Sequence, residues 1–276
     1  MNETMTSELV NGSRQLAIEI KSQRELALSN PRNEAKVLAA CLAELQVAPE
    51  FAENAFYAIP YKRRDSESGE SVEEMVEGLS VVSSRAVARR WGNCAVASRI
   101  ANETDETVEL EGVFADFETN TFIRRTVQVK KTFIPRGTAI PKPLAGTHLT
   151  NAIQAGLSKA ERNATLASLP EYFKERIFAA AKQIAGSKDK GKKTDAERLD
   201  ACYAGFGKFG VEPARVLAYV QANLKGKTTD EVIGTMIGVF NALKDKQTTV
   251  EDAFPAPRTE EKRGAVKMSD IPGSGL

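Results

Sequence analysis

Arg85, Arg89 and Arg90 run directly into Trp91, the only tryptophan of the chain. Arg85 and Arg89 stand four residues apart, so on a helix they share a face. Two guanidinium forks at that spacing can hold successive phosphates. The same spacing also suits a solvated helix face paired with the acidic stretch before it. Trp91 is read either as a ring that stacks on a base or as a core anchor beside Gly92. A second group of cations, Arg99, Arg124 and Lys130, lies where the sequence alternates as strands, with Arg125 and Lys131 close by. That face is either a groove that tracks a phosphate backbone or a solvated sheet surface blunted by charge. A third group is Lys159, Arg162 and Asn163, with Lys174, Arg176 and Lys182 further along. Lys159 and Arg162, three apart, are neighbours on a helix.

These groups sit in one block. The chain of 276 residues has a net charge of +1, yet residues 81–193 carry 19 Lys+Arg against 11 Asp+Glu. The 80 residues before them sum to −6 and the 83 after them to −1. A basic block of this kind points to a polyanion, most often nucleic acid.

Catalytic signals are few. His148 is the only histidine, so a Ser-His-Asp triad would have to use it, and no His/Cys cluster can form a zinc site. Cys41, Cys94 and Cys202 are far apart and odd in number, which suits reduced thiols in the cytoplasm. The run Gly186-Ser-Lys-Asp-Lys-Gly-Lys-Lys193 has the wrong spacing for a phosphate-cradling loop. Asp116 and Glu118 could hold a metal with Glu109 or Glu111, as in a nuclease, or could be plain surface acids. No apolar run approaches the roughly 18 residues of a membrane span. The polar, acidic N-terminus does not resemble a secretory signal.

Helices are expected over 13–29 and 33–47, with Asn30 able to cap the second. A strand over 56–61 leads through Lys62-Arg63-Arg64 into a polar, acidic loop over 65–77. The Arg-rich helix spans 83–91, capped by Ser83 or Ser84 and stopped by Gly92-Asn93. Three strands follow, over 94–101, 107–117 and 122–133, with Gly112 read as a bulge. In the third, Ile123, Val127, Val129 and Phe133 share one face, while Arg124, Thr126, Gln128 and Lys130 share the other. This period of 2 marks a half-buried antiparallel strand with a basic outer side. A Pro/Gly-rich loop over 134–147 leads to helices over 148–168 and 171–185.

The fold class read from this order is α+β: a small antiparallel sheet packed on helices, followed by a small all-α C-terminal domain. The expected divisions are an N-terminal helical oligomerisation segment (1–50), an α+β core (51–186), a solvated basic linker (187–194), a helical domain (195–254) and a disordered tail (255–276).

Three runs carry a family resemblance. They are Glu77-Gly-Leu-Ser-Val-Val-Ser-Ser-Arg-Ala-Val-Ala-Arg-Arg-Trp-Gly-Asn93, Asp116-Phe-Glu-Thr-Asn120, and Ser158-Lys-Ala-Glu-Arg-Asn-Ala-Thr-Leu-Ala-Ser-Leu-Pro170. In this order they resemble phage recombination proteins of the RecT/Redβ kind, which anneal complementary single strands. The similarity spans roughly residues 14–254 and is firmest over 56–185. The loop over 134–147 departs from it by its prolines. The resemblance implies rings or helical filaments on DNA, a backbone held in a basic groove between sheet and helices, and bases left free to pair. It implies no nucleotide cofactor, no metal and no catalysis. Carried over to this chain, the DNA contacts would be Arg85, Arg89, Arg90, Arg99, Arg124, Lys130, Lys159 and Arg162. Residues 195–254 would bind a partner such as a phage exonuclease or a host single-strand binding protein, in the cytoplasm of a bacterial cell. A non-annealing single-strand binding protein of replication would use the same contacts.

Overall fold

The computed structural model describes residues 18–64, 71–135 and 140–255. The expected helix start at 13–17, the first part of the acidic loop (65–70), residues 136–139 and nearly all of the C-terminal tail lie outside these residues. The fold is mixed α+β, with small antiparallel sheets packed on helices and an all-α C-terminal region.

The chain opens with helix α1 over 18–29, then α2 (Glu34–Val47) and α3 (Pro49–Asn54). Asn33 rather than Asn30 caps α2, accepting the amide of Lys36 at 3.0 Å. Leu38, Cys41 and Leu45 form its buried stripe. Strands β1 (Phe56–Arg64) and β2 (Ser71–Leu79) then pair as a nine-rung antiparallel hairpin. The expected acidic loop is therefore mostly the second strand of a hairpin. Glu74 of β2 pairs with Arg63 of β1 at 3.2 Å, and Glu77 pairs with Lys182 at 2.6 Å.

The Arg-rich helix α4 runs Val81–Trp91. Its cap is Ser80, not Ser83 or Ser84; both are buried, and the Ser83 hydroxyl donates to the carbonyl of Ala55 at the end of α3. Gly92 and Asn93 end it at φ 63° and 46°, as their left-handed tolerance predicts. Trp91 is a core residue, set edge-on to Phe173 with ring centroids 5.3 Å apart. Around it pack Leu38, Leu45, Phe56, Val87, Phe114 and Ile177. Each such side chain contributes about 1.5–3 kcal/mol by leaving water.

Strands β3 (Cys94–Glu103), β4 (Thr107–Asp116) and β5 (Thr121–Lys130) form one sheet in that order. Val108, Leu110 and Phe114 of β4 turn inward. After the two-residue pair β6 (Thr132–Phe133) and β7 (Lys142–Pro143), helix α5 (Thr147–Ser168) lies across that inner face. Gly112 is where the two touch, and it is not a bulge. A Cβ there would stand 2.2 Å from the Ala160 carbonyl. The bulge lies in β3, between Ile100 and Asn102. His148 falls in the first turn of α5, as read from the sequence.

Helix α6 (Glu171–Gly186) closes the core, and α7 (Asp195–Gly205), α8 (Pro213–Asn223), α9 (Thr229–Lys244) and α10 (Val250–Ala253) make the C-terminal region. These helices do not stand apart from the core. α9 packs on β1 and α6, and Ala58 of β1 belongs to the same cluster as Phe206, Val216, Met236 and Phe254. The segment 187–194 is mostly exposed, as a solvated linker would be, but it is anchored to the rest of the fold. Arg198, with its guanidinium buried, bonds the carbonyl of Gly186 at 2.5 Å and that of Lys188 at 3.1 Å, and pairs with Asp230 at 2.7 Å. Lys188 pairs with Glu53 at 2.5 Å, and Lys190 with Asp230 at 2.7 Å. Two of its four lysines are thus answered by acids distant in sequence, and Lys193 pairs with Asp189 within the segment. No helix among the described residues is long and apolar enough to cross a membrane.

Candidate nucleic-acid interface

Alternation along β4 puts Glu109, Glu111 and Val113 on the face away from α5. Their neighbours across the ladder are Arg99 on β3 and Arg124, Thr126, Gln128 and Lys130 on β5. Arg99 and Arg124 are 64% and 66% exposed, and Thr126, Gln128 and Lys130 are exposed as well. The outer face is thus open, with cations on both edge strands. Glu111, at its centre, takes Arg99 at 3.3 Å and Arg124 at 3.9 Å. Lys130 makes no ion pair among the described residues. The single aromatic side chain on this face is Phe122, 54% exposed.

Arg85 and Arg89 line a different surface, a cleft of about 640 Å³ between α4, the edge of β3 and α5. Arg85 forks Glu161 through Nε and Nη2 at 2.8 and 3.0 Å. That bond raises the already high pKa of the guanidinium, so it stays charged. Arg89 is exposed and unpaired among the described residues. Arg90 turns away from both, to Glu44 on α2 at 3.0 Å. The three consecutive cations of α4 therefore diverge, and only Arg85 and Arg89 share a surface, as their spacing requires.

The Lys159/Arg162 pair does not hold together. Lys159 is exposed and unpaired among the described residues, whereas Arg162 is 7% exposed. The Arg162 guanidinium lies 4.9 Å from the ring centroid of Tyr57 and donates to Asn163 Oδ1 at 3.1 Å. The expectation that Arg162 contacts DNA is corrected. Tyr57 of β1 lies over the guanidinium and helps to bury it.

Asp116 and Glu118 are mostly buried and paired, and so are not plain surface acids. Asp116 lies on the inner side of β4, opposite Glu109 and Glu111, so these carboxylates do not converge. Among the described residues no cluster of acids, His or Cys is arranged to hold a metal. Instead Asp116 and Glu118 receive Arg32 at 2.5 and 2.9 Å. The Arg32 guanidinium stacks over Trp91 at 4.6 Å, and Trp91 Nε1 donates to Asp116 at 3.3 Å. Burial pushes the Glu118 carboxyl up. Hydrogen bonds from Asn93 and from the Arg32 amide and guanidinium, with the Arg32 charge, outweigh it and hold the group below the usual range. This knot ties the chain before α2 to the β4–β5 turn. Sequence reasoning missed Arg32, because no local spacing links it to partners 84 and 86 residues away.

Seven of the eight expected contacts are exposed cations: Arg99, Arg124 and Lys130 on the outer sheet face, Arg85 and Arg89 at the cleft, and Arg90 and Lys159 elsewhere on the helices. Arg90 is directed elsewhere and Arg162 is buried. Compared with protein-family models, curated proteins and solved structures, the chain matches none.

Proposed function

We propose that the protein binds single-stranded DNA through its phosphate backbone and anneals complementary strands, in homologous recombination of the phage type. The observation that carries this reading is the open outer face of β3–β4–β5. Arg99, Arg124 and Lys130 offer charge there beside small polar groups, and one aromatic ring is too little for a stacking platform. Such a face holds phosphates and leaves base edges free, as annealing requires. Arg85 and Arg89 extend the cationic surface past the edge of β3, and Lys159 adds a further exposed cation.

The annealing step itself rests on the RecT/Redβ resemblance, as does assembly into a ring or filament. Exposed Ile18, Leu26 and Leu28 on α1 support self-association through the N-terminal segment. The 195–254 helices serve a partner nuclease or single-strand binding protein in the host cytoplasm. No nucleotide or metal takes part.

The test mixes the protein with a labelled oligonucleotide and its complement, without ATP or divalent metal. Faster duplex formation than with DNA alone is expected. Binding without acceleration selects the replication-accessory reading, and no binding at low salt refutes both.

A further inference from the structure

Two carboxylates hold the arginines of the candidate interface. Glu161 takes Arg85 in a fork, and Glu111 gathers Arg99 and Arg124. In both groups the arginines are more than half exposed, while Glu161 and Glu111 are 17% and 10% exposed. The two arrangements stand on opposite sides of one sheet, built from different elements. A carboxylate presents the guanidinium fork with the same paired acceptor oxygens as a phosphate. Arg99 spends one Nη group on Glu111 and Arg124 spends its Nε, so each keeps donors turned to solvent.

The geometry points to Glu111 and Glu161 as phosphate surrogates: they orient and neutralise Arg85, Arg99 and Arg124 in the DNA-free chain, then yield them to the backbone of a bound strand. The inference rests on the DNA-binding reading above and adds a control on it. Both glutamates are positioning residues that set affinity without touching DNA. An arginine already neutralised by a carboxylate releases no net counterion when a phosphate replaces that carboxylate. The salt dependence of binding is then shallower than the count of cations implies, and a held strand passes more easily to its complement.

The test is single-strand affinity of the full chain as a function of salt, read by fluorescence anisotropy with a labelled oligothymidylate. Each freed cation adds about 0.7 to the steepness of the log–log plot, so between about 50 and about 200 mM salt each variant loses about 2.6-fold more affinity than the parent. Glu111→Gln and Glu161→Gln should each bind more tightly at low salt, show that added slope, and anneal more slowly. Arg85→Ala should leave the slope of the parent unchanged and lower it by about 0.7 in the Glu161→Gln background. A merely structural role for Glu161 does not produce that split. The two glutamates lie on separate surfaces, so misfolding of one variant, seen by circular dichroism, leaves the other to decide. Unchanged or shallower slopes in folded variants, with a parent that binds, overturn the surrogate role alone. A parent that does not bind single strands overturns the function and the surrogates together.

Discussion

Replacing Arg32 with alanine tests the knot that joins the N-terminal segment to the sheet. Arg32, Asp116 and Glu118 have side chains only 7%, 10% and 15% exposed. Arg32→Ala leaves two nearly buried carboxylates without their cation, and removing one partner of such a pair costs about 3–5 kcal/mol. Loss of the stack on Trp91 removes a further contribution of about 0.5–2 kcal/mol, part of which the first figure already contains. For a chain of this length the expected fall in Tm is roughly 10 °C. Arg32→Lys keeps the charge but loses the fork and should fall between parent and alanine. The pH dependence follows from Glu118, whose folded-state pKa is depressed. In the parent its stabilisation is present in full above the unfolded carboxylate pKa, about 4.3, and fades as pH falls through the lower folded value. In Arg32→Ala the part supplied by the Arg32 guanidinium is absent at every pH, while the hydrogen bond from Asn93 remains. The gap between the two proteins should therefore be widest near neutral pH and narrow on acidification below about 4. Urea unfolding followed by circular dichroism at a series of pH values measures it. A neutral-pH gap under about 1 kcal/mol, or one that does not change with pH, refutes the argument.

Three further outcomes follow from the packing and the site. Gly112→Ala drives a methyl group into the Ala160 carbonyl at 2.2 Å, and α5 must shift; a loss of about 1–3 kcal/mol is expected in thermal unfolding, and an unchanged Tm would contradict the close helix–sheet contact. Burial pushes the Cys202 thiol up to about 12 and the Cys41 and Cys94 thiols to about 11, so the native chain should react slowly with a thiol reagent at neutral pH, and all three thiols should react rapidly once urea unfolds it. Trp91 is buried, so its emission should be blue-shifted and unmoved by saturating single-stranded DNA; quenching would revive the base-stacking role.

What the sequence revealed and what it hid divide along sequence distance. The alternation of Ile123, Val127 and Val129 against Arg124, Thr126, Gln128 and Lys130 is a local signal, and it placed the outer face correctly. So did the Gly92-Asn93 stop of α4. Strand β2 was missed because Ser71–Leu79 carries three glutamates and lacks a clean apolar face. Its pairing with β1, across the ladder from Phe56–Leu79 to Arg64–Ser71, supplies the order that its own residues do not. Arg162 looks like a solvent-facing cation because Tyr57, which covers its guanidinium, lies about a hundred residues earlier in the chain. Gly112 read as a bulge because a glycine inside a strand has two common causes, and the second, close approach of another backbone, depends on Ala160 far along the chain. The anchoring of Lys188 and Lys190 was hidden for the same reason, since their partners Glu53 and Asp230 are not local.

Binding of a phosphate backbone by the outer sheet face is read from the slope of log affinity against log salt for single-stranded DNA, compared between the parent and a variant with Arg99→Ala, Arg124→Ala and Lys130→Ala. Glu111 neutralises one of the three cations, so the account predicts a slope shallower by about 1.4 in the triple variant, with Lys192→Ala as an unaffected control. A triple variant that is folded and binds with the slope of the parent would contradict it.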